Sequence, residues 1–273
     1  MIRYIDRDHT EQTRDLFAVF AALARDEVAS FPALRPHQRQ AWHCFLVQVG
    51  ALALQRDGSD VLPDTAQGWR KRLLALTPDH PGGEAWQLVV DDWSKPALLQ
   101  PPGMAAPGSK GVKMELTPDG LDMLVTGRNH DLKGERIDAA AADDWLFALV
   151  TLQTLEGQMG APNFGISRMY TGFGARVCVG IRPLPIRWGK SVRRDIEHLL
   201  TNKEEVEADA PMRGDIGLVW TLPWDGTTSP QRCIRTRLTS EHRRQPRCYA
   251  TRSRSAFARP RLRSSTASVC LAA

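Results

Sequence analysis

Between Gly160 and Arg176 the chain reads GAPNFGISRMYTGFGAR, which sets Gly160, Gly165, Gly172 and Gly174 beside Arg168 and Arg176 without one acidic residue. Glycine lets a backbone approach a ligand that a side chain would hold away, and guanidinium groups alongside supply charge for phosphates. The chemistry in view is main-chain contact with nucleic acid. A tight turn joining a helix to a strand is the competing reading of such a cluster.

Other chemical signatures fail at positions they require. WGKS (Trp188 to Ser191) ends like a phosphate-binding loop, but Leu184 stands where that loop needs glycine. Pro183 and Pro185 also remove amide donors. The segment reads as a loop leading to a helix cap at Ser191. GFGARV (Gly172 to Val177) lacks the third glycine of a dinucleotide fingerprint and follows a glycine-rich loop instead of a strand. Ser167 is in no nucleophile elbow. His37 and His43 lie six apart, on different faces of a helix, and cannot share a metal without distant partners. Asn129, His130 and Asp131 read as a turn with local hydrogen bonds. Asp91/Asp92 read as a solvent face and Asp143/Asp144 as a helix cap with first-turn acids. No catalytic residue, metal site or cofactor is expected, so the chain reads as a binding protein and not an enzyme. A nucleotide-dependent enzyme using Gly160 to Lys190 is the least favoured alternative.

The elements around these residues follow from apolar spacing. Residues 13 to 29 predict an amphipathic helix with Leu16, Val19, Phe20, Leu23 and Val28 on one face. The prolines of FPALRPHQ break it, and a second helix buries Trp42, Phe45, Leu46, Val49, Leu52 and Ala53. GWRKRLLAL is a third, closed by Thr77-Pro78. AWQLVV suits either a strand or a short helix. Residues 95 to 111 read as a Pro- and Gly-rich loop or linker, and LDMLVTGRN as a strand. Asp143 and Asp144 open a helix with Trp145, Leu149, Leu152 and Leu155 inward. VCVGI and IGLVWTL are β-branched runs suited to strands, with a short helix VRRDIEHLL between them. The fold class expected is α+β, mixed and irregular, without repeats.

Charge divides the 273 residues into two parts. The net charge is +5, yet Ser229 to Ala273 holds 11 arginines, no lysine and one acid, Glu241. Residues 1 to 228 then carry 25 basic and 30 acidic side chains. The expected organisation is a folded body over 1–228 and a disordered Arg-rich tail over 229–273, whose composition cannot bury enough surface to offset chain entropy. Two accounts of the tail stand. It is a basic arm, which would make the chain a nonspecific nucleic-acid binder, or it is a stretch read out of frame. The missing lysine and the abrupt change near Thr228 favour the second.

No apolar run is long enough to span a bilayer, and MIRYIDRDHTEQTRD has no hydrophobic signal core. Cys44, Cys178, Cys233, Cys248 and Cys270 are odd in number and form no C-x-x-C pair, which fits a reducing compartment. A cytoplasmic protein is expected, with no membrane partner.

Three blocks in order carry a family resemblance: FPALRPHQRQAWHCFLVQVGALAL (Phe31 to Leu54), LDMLVTGRNHDLK (Leu121 to Lys133) and WLFALVTLQTLEGQMGAPNFGISRMYTGFGAR (Trp145 to Arg176). Together they resemble CasA, the large subunit of the type I-E CRISPR surveillance complex Cascade, and DIGLVWTLPWDG (Asp215 to Gly226) continues the match. The resemblance implies recognition of a protospacer-adjacent motif on duplex DNA in antiviral defence. Its implied partners are other Cascade subunits, guide RNA, target double-stranded DNA and a helicase-nuclease. Asn163, Phe164, Gly165, Ile166 and Ser167 sit where the family's minor-groove loop would be, with Arg168 and Arg176 placed for flanking phosphates. Asn129, His130, Asp131, Leu132 and Lys133 occupy the place of a loop that docks toward the guide RNA and backbone subunits. A plain surface loop is the alternative there.

The chain departs from the family where the N-terminal domain would continue beyond Gly226 and a helical bundle with a lysine finger and a duplex wedge would follow. The Arg-rich tail stands in their place, and MIRYIDRDHT begins late against the family's first strand. A truncated copy is expected, with weak stability and impaired motif recognition.

Overall fold

A computed structural model describes residues 1–103, 115–122, 137, 139–154, 184–204 and 218–224. At its start, β1 (Ile2–Asp6) turns Ile2 and Tyr4 inward, the period-2 alternation of a half-buried strand. It pairs antiparallel with β2 (Glu11–Arg14) on one edge and β3 (Val28–Ser30) on the other, giving the order β2-β1-β3. The turn between β1 and β2 is closed by Asp6, whose Oδ1 accepts from Thr10 N (2.9 Å) and Asp8 N (3.0 Å). The opening residues thus supply the middle strand of the sheet.

Helix α1 (Leu16–Ala24) is shorter than the 13-to-29 helix expected from apolar spacing. Asp15 caps it by accepting from Ala18 N at 2.8 Å. Residues 11 to 14 are drawn into β2 instead. At the other end Asp26 adopts a left-handed φ of 58°, which stops the helix and places Val28 in β3.

Helix α2 (Arg39–Asp57) is the centre of the molecule and ends at Gly58, left-handed at φ 66°. Ser59 N–H returns to Leu54 O at 3.1 Å. Of the expected stripe, Trp42, Phe45, Leu46, Val49 and Ala53 are buried and Leu52 is half-buried, while Ala41, His43 and Val47 on other faces are buried too. Burial around most of the circumference is what a helix surrounded by other elements requires. Helix α3 (Ala66–Ala75), capped by Thr65, stacks Trp69 on Phe20 of α1 with ring centroids 4.6 Å apart.

Helix α4 (Ala142–Thr154) buries Leu146, Phe147, Leu149 and Val150, whereas Trp145 and Leu152, both expected inward, are only half-buried. The face is set by Phe147, which meets Trp42 edge-on at 5.1 Å and Phe31 at 6.0 Å. Leu155 lies outside the described residues. Helix α5 (Trp188–Thr201) begins three residues before the position assigned to its cap. Ser191 is inside it and fully buried, its Oγ donating to Arg187 O at 2.8 Å.

Two further expectations are corrected. IGLVWTL is not a strand at its described end: Val219–Thr221 is a 3-10 turn, fixed where Trp220 Nε1 donates to Ala85 O at 3.1 Å and its ring meets Trp86 edge-on. AWQLVV opens in another 3-10 turn, Glu84–Trp86, and then runs extended at Gln87. The Pro-rich stretch is irregular as expected, but Leu98 and Leu99 are buried and Pro102 O accepts from Trp224 N at 2.9 Å, so to Gly103 it belongs to the core. The strand expected over LDMLVTGRN, apart from Leu121 and Asp122, and that over VCVGI lie outside the described residues.

The described residues therefore combine five α-helices with one three-stranded antiparallel sheet, an α+β arrangement packed around α2. Among them no helix is long and apolar enough to cross a membrane.

Candidate functional site

The glycine-rich loop residues Asn163, Phe164, Gly165, Ile166, Ser167 and Arg168 lie outside the described residues, as do Asn129, His130, Asp131, Leu132 and Lys133. The tail over 229–273 lies outside them too. What the structure gives is the framework from which both segments depart and to which they return.

The glycine-rich stretch leaves α4 and re-enters at α5, and both helices pack on α2. At the start of α4, the Asp143 carboxylate is buried and takes Arg3 in a two-pronged bond: Nη2 to Oδ1 at 2.8 Å and Nε to Oδ2 at 2.9 Å. Arg3 N adds a third donor to Oδ2 at 3.1 Å. The bond to Asp143 holds the Arg3 guanidinium above its usual range against the opposing effect of burial. Asp143 is thus more than a helix-cap acid, since it ties α4 to β1 across 140 residues. Its neighbour Asp144 accepts from Ala141 N at 2.8 Å, the local role expected of it. Nearer the end of α4, Gln153 Nε2 donates to Leu99 O at 3.3 Å.

Helix α5 is fixed at three points. Its Trp188 ring meets Phe31 edge-on at 5.1 Å. The Asp26 carboxylate pairs with Arg187 at 3.0 Å and accepts from Lys190 N at 3.2 Å. On its buried face, Asp195 Oδ2 meets His43 Nε2 at 2.7 Å, and Arg194 reaches Asp195 Oδ1 at 2.6 Å. Burial works to raise the Asp195 carboxyl, but the hydrogen bonds from His43 and Arg194 outweigh it and hold the group below its usual range.

Gly189 shows why WGKS is not a phosphate cradle. A Cβ there would come within 2.7 Å of Asp26 Cα and closer still to Leu23 O, so the glycine serves the approach of α5 to the end of α1. The amides that would hold an anion are occupied, Lys190 N by Asp26 and Ser191 N by Arg187 O at 3.1 Å.

Ahead of the second candidate loop, residues 118 to 122 are held by a buried cluster. Asp122 Oδ2 faces His37 Nε2 at 2.6 Å and accepts from Gln38 Nε2 at 3.2 Å and Arg35 Nη1 at 3.3 Å. Arg35 Nη2 also donates to Asp119. His37 sits in the 3-10 turn Pro36–Gln38 that precedes α2, not on the helix with His43. Each histidine has its own carboxylate, and among the described residues no cluster fit to hold a metal ion occurs.

Sequence reasoning missed Arg3, Arg35, Asp119, Asp122 and Asp195, because their contacts span 84 to 152 residues and leave no local pattern. No family model, curated protein or solved structure matches the chain.

Proposed function

We propose that this chain is a large subunit of the CasA type that touches duplex DNA through the glycine-rich loop Asn163 to Arg168. Sequence carries the reading, through the ordered resemblance of the three blocks. The structural observation in its support is that α4 and α5, which bound the loop, are both seated on α2. A loop that must enter a groove needs two fixed stems, because ordering its base at the moment of binding would cost affinity.

In this reading the amides around Gly165 approach base edges in the minor groove, whose degenerate pattern suits tolerant recognition of a short motif. Arg168 and Arg176 neutralise flanking phosphates. Asn129, His130, Asp131, Leu132 and Lys133 dock the chain toward guide RNA and other Cascade subunits, and a helicase-nuclease is recruited later. The chain itself does no chemistry and requires no cofactor.

The second reading, a nonspecific binder acting through the tail, is favoured by the concentration of 11 arginines after Ser229. Selection from a duplex library randomised over a short motif separates the two. The full chain should enrich a motif, and a chain ending at Thr228 should enrich the same one. Enrichment of no motif, with all affinity lost on removing the tail, would favour the second reading.

A further inference from the structure

A cavity of about 310 Å3 opens between the start of α1, α3, the first turn of α4 and the 3-10 turn at Glu84–Trp86. Its size is at the lower end of small-molecule sites. Phe17, Trp86, Leu98 and Leu146 supply apolar wall. Gly82 and Gly83, the latter at a φ of 81°, border it as well, although a Cβ at either would face Glu84 or Leu74 and not the cavity.

Arg70 and Asp15, both exposed to solvent, line the same cavity, and Met1 borders it too. Arg70 holds its guanidinium 5.2 Å from the Phe17 ring centroid and makes no hydrogen bond or ion pair among the described residues. Asp15 uses Oδ1 to cap α1, and its Oδ2 has no hydrogen-bond partner among them. A simple carboxylate would find Arg70 but face Asp15, and a simple amine would meet the reverse conflict. A molecule carrying both charges beside an apolar body satisfies both.

We propose that this cavity binds a free α-amino acid with an aromatic or branched aliphatic side chain. Its carboxylate pairs with Arg70, its ammonium pairs with Asp15 Oδ2, and its side chain lies against Phe17, Trp86, Leu98 and Leu146. The site does not involve either candidate loop, so it stands independently of the DNA-binding reading.

Isothermal titration calorimetry of the full chain tests this, with L-phenylalanine and L-leucine as probes. The controls are 3-phenylpropionate, which lacks the ammonium, and phenethylamine, which lacks the carboxylate. Saturable binding of L-phenylalanine is expected, with each control weaker by about tenfold or more. Arg70→Gln should abolish the advantage over phenethylamine. Asp15→Asn should abolish the advantage over 3-phenylpropionate while still capping α1, since asparagine caps as well as aspartate. Circular dichroism melting checks that both variants fold, and if either does not, the two controls on the unaltered chain decide. No saturable heat from either amino acid at millimolar concentration would overturn the proposal. So would affinities for the controls equal to that for L-phenylalanine.

Discussion

His43 on α2 and Asp195 on α5 meet at 2.7 Å across 152 residues, inside the protein and beside the Trp188 ring. This pair joins the helix at the centre of the fold to the helix that receives the glycine-rich stretch. Breaking one partner of a buried pair leaves the other uncompensated, at a cost of about 3–5 kcal/mol. Asp195→Ala should therefore lower stability by that order in urea unfolding, well beyond the effect of changing the exposed Glu197.

The same pair sets a pH dependence. Asp195 is held below the ordinary aspartate value of 3.8 in the folded chain and returns to it on unfolding. The unfolded chain then binds more protons around and below that value. The contribution is complete above 3.8 and is lost as pH falls through the depressed folded value. Melting temperature should drop steeply between about pH 5 and pH 2, and Asp195→Asn should flatten part of that slope. An unchanged slope would show that the carboxylate is not held as described.

Gly189 and Gly50 give a contrast in packing. A Cβ on Gly189 meets backbone of α1 and the turn after it, whereas one on Gly50 meets the tip of Ile196, 2.7 Å from Cδ1. Backbone yields less readily than a side-chain end. Gly189→Ala should destabilise by about 1–3 kcal/mol and Gly50→Ala by less, as read from unfolding midpoints. Equal costs would mean that α5 does not approach α1 so closely.

Arg3 tests how α4 is tied to the sheet. Its fork grips Asp143 through two nitrogens, and lysine cannot reproduce that geometry. Arg3→Lys should lose most of what Arg3→Ala loses, about 1–3 kcal/mol. Amide exchange should also quicken in the first turn of α4 before the rest of the helix.

The sequence was most readable where burial follows a regular period. The helices over α2, α3 and α4 were legible from apolar spacing, whereas the first helix stops at Asp26, well before the prolines of FPALRPHQ that were expected to end it. Prediction failed where a side chain answered to something far away. Trp220 turned an apparent strand into a 3-10 turn by bonding Ala85 O, and Phe147 displaced Trp145 from the inward face of α4. Asp143 looked like a cap because its charge precedes an apolar run, while its partner Arg3 lies 140 residues away. Likewise, nothing local to WGKS announces that Gly189 makes room for the end of α1. Both candidate loops rest on sequence and resemblance, and their stems rest on the structure.

The central claim is that the amides around Gly165 touch DNA and the tail arginines do not provide the preference. Fluorescence anisotropy on short duplexes, with the chain ending at Thr228, tests it most directly when Gly165→Val is compared with the unaltered body. The account predicts a residual, salt-sensitive preference for one short motif that Gly165→Val removes while the melting curve stays unchanged. Equal binding of all duplexes by the unaltered body, or a preference that survives Gly165→Val, would contradict it.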